Sequence, residues 1–227
     1  MTRTFEIVRD LVNSMDLSIK VNEIDGNVLK VCRTLHVRNN SIVKDGEGNE
    51  YKVTSFVNNK SITVEPFGEY VFTGDFVFAP SPVFLQGKWI SANQEYLNMD
   101  LDTRQKTPLI WLVRGYEERL KGAMSSVKLE VEPLIFFLDE ADFTSWVNDE
   151  HDVKAINPMY NLAELFVETI ESNPQFKTLE GWKIQDEPRF GVKITTEKGN
   201  SKRILSDDLS GVGLRVPIKY FGSCKHC

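Results

Sequence analysis

The sequence predicts an α+β protein, in which a short N-terminal helix and a small β-barrel-like unit precede a unit of helices flanking an antiparallel sheet. Apolar residues near the N-terminus recur every three or four positions, the spacing of a helix face. From residue 16 to about 66 the repeat shortens to two, with Gly and Asn turns between runs, the signature of short antiparallel strands. The second half then sets continuous apolar runs before and after one strongly periodic helix.

Over residues 4–15, Phe5, Val8, Leu11, Val12 and Met15 share a face, with Arg9, Asp10 and Asn13 between them. Leu17, Ile19 and Val21 then alternate with Ser18, Lys20 and Asn22 until Asp25-Gly26-Asn27 interrupts before Val28, Val31 and Leu35. Gly accepts the positive φ that a tight hairpin turn requires. A second hairpin runs from 41–44 through Asp45-Gly46-Glu47-Gly48-Asn49 to 50–57, and Asn58-Asn59-Lys60 joins that strand to 61–66. Strands this short and this regularly spaced predict a small barrel or sandwich.

Farther on, the run Thr107-Pro108-Leu109-Ile110-Trp111-Leu112-Val113 reads as a strand buried on both faces, with a short buried helix as the alternative. Leu129, Val131 and Leu134-Ile135-Phe136-Phe137-Leu138 make another, ended by Asp139-Glu140-Ala141-Asp142. Met159, Leu162, Ala163, Phe166, Val167 and Ile170 line one face of a helix, with Asn161, Glu164, Glu168 and Glu171 opposite. Pro158 suits its first turn and Asn173-Pro174 closes it. The tail returns to strands at 190–196 and 203–205, around a Glu197-Lys198-Gly199-Asn200 turn, and over 213–221.

With 227 residues the chain has room for two cores, and the change of pattern divides it into 1–82 and 83–227. The net charge of −6 is shared by both halves, since residues 1–85 carry 9 basic and 11 acidic side chains of totals of 27 and 33. Phosphate neutralisation dominates nucleic-acid affinity, so this balance disfavours sequence-independent DNA or RNA binding, and no specific nucleic-acid recognition is expected. The start Met1-Thr2-Arg3-Thr4-Phe5-Glu6 lacks the apolar run of a signal peptide, and no stretch approaches ~18 uninterrupted apolar residues; the expectation is a chain made in the cytosol with no membrane span. Three cysteines, two of them at positions 224 and 227, do not form a secreted disulfide framework.

Cys224-Lys225-His226-Cys227 has the spacing to grip a zinc ion, but a second ligand pair would have to come from His226 with Cys32 or His36. Reduced terminal thiols are the expectation, and no metal or other cofactor is predicted. His36 ends an alternating strand, where an ordinary satisfied or solvent-facing imidazole is expected. His151 lies in Asn148-Asp149-Glu150-His151-Asp152, which reads as a solvated loop because it lacks the ligand-spaced Gly of a calcium loop. Gly46-Glu47-Gly48 and Gly211-Val212-Gly213 are not phosphate cradles, there is no Gly-x-Ser-x-Gly elbow, and the adjacent acids Asp139-Glu140 and Asp207-Asp208 are too common at turns to mark a catalytic site. The chain therefore reads as a non-enzyme without catalytic residues.

The aromatic stretch between Pro66 and Pro82 has a plain reading, one more strand and a linker. A sharper one makes it a projecting arm whose aromatics pack on a neighbouring subunit. Phe67, Tyr70, Phe72, Phe76, Phe78 and Phe84, with Tyr220 and Phe221 of the last strand, are the candidate subunit-interface residues.

The stretches from Leu35-His36-Val37 to Val43–Val53, Thr107–Leu112, the 159–170 helix and the closing 209–218 segment together resemble the head-to-tail connector, ring and tail-completion proteins of tailed bacteriophages. The resemblance covers about two-thirds of the chain. It implies a tail-terminator-like sheet with flanking helices, a small adaptor-type barrel and no catalytic residues. It further implies a virion component, made in the bacterial host cytoplasm, that forms a ring with itself and meets portal, neck or tail proteins while DNA passes through. A barrel preceding a terminator-like half departs from the simplest members. Two other classes are carried beside it, a bacterial adaptor or peptide-binding module and a small metal-dependent hydrolase or nuclease whose carboxylates gather only on folding.

Overall fold

The computed structural model describes residues 3–68, 71–99, 106–121, 128–178, 181–190, 192–194, 201–203 and 207–221. The fold is α+β, with the short helix, the barrel and the helix-flanked sheet in the expected order. Helix α1 (Thr4–Ser14) buries Ile7, Val8, Leu11 and Val12, and the Glu6 carboxylate accepts from the Arg3 backbone N–H at 2.9 Å. Strands β1 (Ser18–Asp25), β2 (Val28–Val31), β3 (Ile42–Asp45), β4 (Glu50–Val57), β5 (Ser61–Pro66) and β6 (Phe76–Phe78) close into an antiparallel barrel in the order β1-β2-β5-β4-β3-β6. The period-two residues Ile19, Val21, Leu29, Val43, Tyr51, Val53, Ile62, Val64 and Val77 fill its interior. The expected turns are present, with Gly26 at φ 57° between β1 and β2 and Asn59 at φ 53° between β4 and β5.

The second half holds β7 (Val83–Gly87), α2 (Trp89–Asn98), β8 (Leu109–Val113), β9 (Arg119–Lys121), β10 (Lys128–Val131), β11 (Leu134–Glu140), α3 (Asn148–His151), a π-helical turn (Asp152–Ile156) and α4 (Asn157–Ser172). It ends with β12 (Phe176–Thr178), β13 (Lys183–Phe190), β14 (Val192–Ile194), β15 (Ser201–Arg203), β16 (Leu209–Arg215) and β17 (Ile218–Phe221). The main sheet has the order β13-β16-β11-β8-β7, and a second has β12-β17-β10-β9.

Three features depart from the sequence reading. The main sheet is not purely antiparallel: β7 runs parallel to β8, with α2 in the crossover that a parallel pair requires. Helix α2 was not foreseen. The run expected over 213–221 is two strands, β16 and β17, in different sheets, and β10 and β11 part in the same way. Pro133 and Pro217 explain both breaks. Val131 faces Ile218 and Leu134 faces Arg215, so one antiparallel register continues across the step, and each chain changes sheet at a residue lacking an N–H. The expected turn over 197–200 lies outside the described residues.

Leu109 to Leu112 are fully buried because both faces of the sheet are covered. Ile110 and Leu112 join Phe137 and Phe166 under α4, while Leu109 and Trp111 join Ala92 and Tyr96 of α2 with Phe136 and Phe190. The apolar cluster on the α4 side runs without a gap into α1 and the barrel. Thr4 at the start of α1 donates through both its backbone N–H and its hydroxyl to Glu118, so α1 is tied to the second half. The β2–β3 connection makes the other tie. Arg33 forms a forked pair with Glu168 of α4 (2.8 and 3.1 Å), and the Leu35 carbonyl accepts from Asn161 at 2.8 Å.

Candidate functional site

The outward wall of the barrel carries the clearest candidate surface. On β6 Val77 points into the barrel, so Phe76 and Phe78 point out and remain 44% and 39% exposed. Phe76 faces Lys20 on β1, and Phe78 faces Ser18 on β1 and Lys44 on β3. Directly opposed strand residues share a face, which extends the row: Lys44 faces Glu50 on β4 and is paired with it at 2.9 Å. The Phe67 N–H donates to the Glu50 carbonyl, and the Phe67 ring is 60% exposed. Three exposed phenylalanines therefore rim a Lys44–Glu50 pair on one side of a rigid wall.

The remaining interface candidates divide. Phe72 is a core residue: it is 4% exposed and meets Tyr51 edge-on with ring centroids 5.5 Å apart, closing one end of the barrel. This removes it from any surface of the folded chain. Over residues 71–82 the stretch supplies the barrel's sixth strand, Phe76–Phe78, with its lead-in, as the plain reading had it, and those residues do not form a projecting arm. Phe84 and Tyr220 are half-buried against the core, the latter with Phe176 at 5.1 Å, while Phe221 stays exposed. Both edges of β17 are hydrogen-bonded, to β10 and β12, so its backbone is not open to a partner. Tyr70 lies outside the described residues.

Chemistry-bearing groups gather at the junction of the two halves. Arg38 Nε approaches Asp139 Oδ2 at 2.6 Å, Arg38 Nη2 donates to Thr107 Oγ1 at 3.1 Å, and Glu140 lies 3.7 Å from Arg38 Nη1. Asp139 is 1% exposed, and burial pushes its carboxyl up to about 6 against the opposing pull of Arg38. Beside it Tyr96 donates to Asp207 at 2.9 Å, and Lys106 stands 4.9 Å over the Tyr96 ring. Burial and the Asp207 carboxylate both raise the Tyr96 phenol. Two acids of the segment that ends β11 thus have separate structural tasks: Asp139 pairs with an arginine, and Asp142 accepts from the hydroxyls of Ser145 and Thr144, which hold it well below the usual carboxylate range.

The two described histidines, His36 and His151, are buried, and His226 lies outside the described residues. His36 Nε2 donates to the Pro80 carbonyl at 2.7 Å, and burial brings its imidazole down to about 4, so it is neutral and its proton lies on Nε2. The expected loop around His151 is instead α3 running into the π-helical turn. His151 is sandwiched by Phe143 and Trp146, with Nδ1 3.0 Å from Ser210 Oγ. Burial, then Arg189, lowers its affinity for a proton. This is no serine-hydrolase dyad: Ser210 is fully buried in a central strand, and its oxygen already accepts the Arg189 N–H at 3.1 Å.

No protein-family model, curated protein or solved structure matches this chain.

Among the described residues no group of three His, Cys, Asp or Glu side chains has the geometry to hold a metal ion. Cys32 is exposed and its sulfur accepts from Asn22, while Cys224 and Cys227 lie outside the described residues. Likewise no described helix is long and apolar enough to cross a membrane. Sequence reasoning missed the Arg38–Asp139 junction, whose members lie a hundred residues apart in separate strands and loops. An ionisable residue ending the otherwise apolar run 134–138 was the available signal.

Proposed function

We propose that this chain is a non-enzymatic assembly component, and specifically a ring-forming protein of the head–tail junction of a tailed phage. The observation that carries the reading is the outward row of Phe67, Phe76 and Phe78 on the closed barrel wall. Aromatic rings kept in water on a rigid strand make strong anchors at low entropic cost, since the strand is ordered before any partner arrives. The continuous core adds to this, because a subunit that transmits contacts around a ring needs its parts fixed to each other. The resemblance of several stretches to connector and tail-completion proteins supplies the particle and the partners: further copies of itself, and portal, neck or tail proteins. A net charge of −6 suits a ring through which DNA passes without sticking.

Mass photometry of the purified chain, alone and with portal protein, tests the reading. A closed multimer of one stoichiometry, formed alone or upon the portal, is the expected result. A monomer that stays monomeric at high concentration and ignores particle proteins overturns it.

A further inference from the structure

Rings close through contacts that are different on the two sides of each subunit, so an aromatic wall needs a second, unlike surface to receive it. Such a surface lies on α4. Glu164, Glu168 and Glu171 stand at helical spacing along its outer face, and with Val167 and the half-buried Trp182 they line a shallow groove of about 190 Å³. Its lining combines the apolar Val167 and Trp182 with three carboxylates, of which Glu168 is already held by Arg33 of the same chain. The barrel wall offers the converse, with Phe76 and Phe78 as apolar projections flanked by the exposed Lys20 and by Lys44, which is paired with Glu50 of the same chain at 2.9 Å.

The two surfaces cannot meet within one chain. In the closed order β1-β2-β5-β4-β3-β6, strand β6 lies opposite β5. Helix α4 touches the barrel at the β5 side, where Asn161 reaches Asn58 of the β4–β5 turn and Glu168 reaches Arg33 just after β2. The lysine-flanked aromatics therefore face away from the groove of their own chain, which is the arrangement a head-to-tail contact requires.

We infer that the β6 wall of one copy docks into the acidic groove lined by α4 and Trp182 of the next copy. The partner at this surface is a second copy of this chain. Phe78 or Phe76 enters over Val167 and Trp182, and Lys20 and Lys44 meet Glu164 and Glu171. Apolar burial holds the contact, and the opposed charges set which surface meets which. The inference rests on the proposed ring and specifies its self-contact.

The test is a set of charge reversals read by mass photometry, with circular dichroism melting as the control for folding. Lys20→Glu with Lys44→Glu, and separately Glu164→Lys with Glu171→Lys, should each raise the concentration for half-assembly at least tenfold. The chain carrying all four reversals should assemble like the original, whatever the ring order. Phe76→Ser with Phe78→Ser should abolish assembly while leaving the melting temperature nearly unchanged. If the unaltered chain assembles and the paired reversals leave assembly intact, or the fourfold reversal fails to restore it, the docking is wrong and the ring reading stands. If the unaltered chain never assembles, alone or with portal protein, both fall.

Discussion

Asp139 Oδ2 lies 2.6 Å from Arg38 Nε, and this buried contact ties the barrel's β2–β3 connection to the end of β11, the central strand of the main sheet. Burial outweighs the attraction of Arg38 and the hydrogen bonds from the Glu140 N–H and Thr107, and so the carboxyl is raised.

A pH dependence follows. Asp139 is raised to about 6 in the fold, above the ~3.9 of an unfolded chain, so between those values the folded state holds the extra proton. Its contribution is therefore most favourable below pH ~4 and declines as pH rises toward 6, by an amount on the order of 3 kcal/mol. Urea unfolding of the original chain and of Asp139→Asn across pH 4–7 should give a difference curve with that slope. Arg38 keeps Thr107 and Glu140 in the variant. A flat difference would show that Asp139 is ionised throughout.

Phe166 of α4 is fully buried and meets Phe137 of β11 with ring centroids 5.8 Å apart. Phe166→Ala removes a ring from the centre of the shared core and should cost ~3–5 kcal/mol. Denaturant unfolding measures this directly, with a midpoint shift and little change of slope.

Gly211 faces Leu138 across β16 and β11, where a Cβ would sit on the Phe137 carbonyl, 2.9 Å from its carbon. Backbone cannot yield as a flexible side chain can. Gly211→Ala should destabilise by ~1–3 kcal/mol or more, against a small effect at Gly46, where an added Cβ meets nothing. Thermal melting of the two variants side by side checks the contrast.

Phe72 and Phe78 lie six residues apart on the same stretch and should respond in opposite ways. Phe72→Ala strips the barrel of the ring that contacts Tyr51 and should lower stability by ~3–5 kcal/mol. Phe78→Ala should leave stability within about 0.5 kcal/mol and weaken self-association instead. Melting and mass photometry on the same preparations separate the two effects.

Local patterns made most of the barrel legible. Alternation at 17–21 and 61–64, with Gly26 and Asn59 accepting positive φ, specifies hairpins without reference to anything distant. Helix α4 was equally plain because its whole apolar face lies in one stretch. Helix α2 was hidden, since its buried Ala92 and Tyr96 share ten residues with several polar ones. The bent ribbon at Pro133 and Pro217 was invisible for another reason: each proline breaks its own strand, but only pairing between distant strands shows that the two breaks coincide. At the candidate surface, alternation could have sorted the aromatics, because inward Val77 places Phe76 and Phe78 outside. Nothing local announces that Phe72 turns inward.

The packing of α1 against α4 also constrains the order of events on the ribosome. Helix α1 emerges about 70 residues ahead of β7 and some 140 ahead of α4, both of which pack on it, so at ~5–20 residues per second its covering is completed over an interval on the order of ten seconds. Until α4 arrives the nascent chain displays an incompletely covered stripe of Ile7, Val8, Leu11 and Val12, an apolar face of the kind chaperones bind and stray chains adhere to.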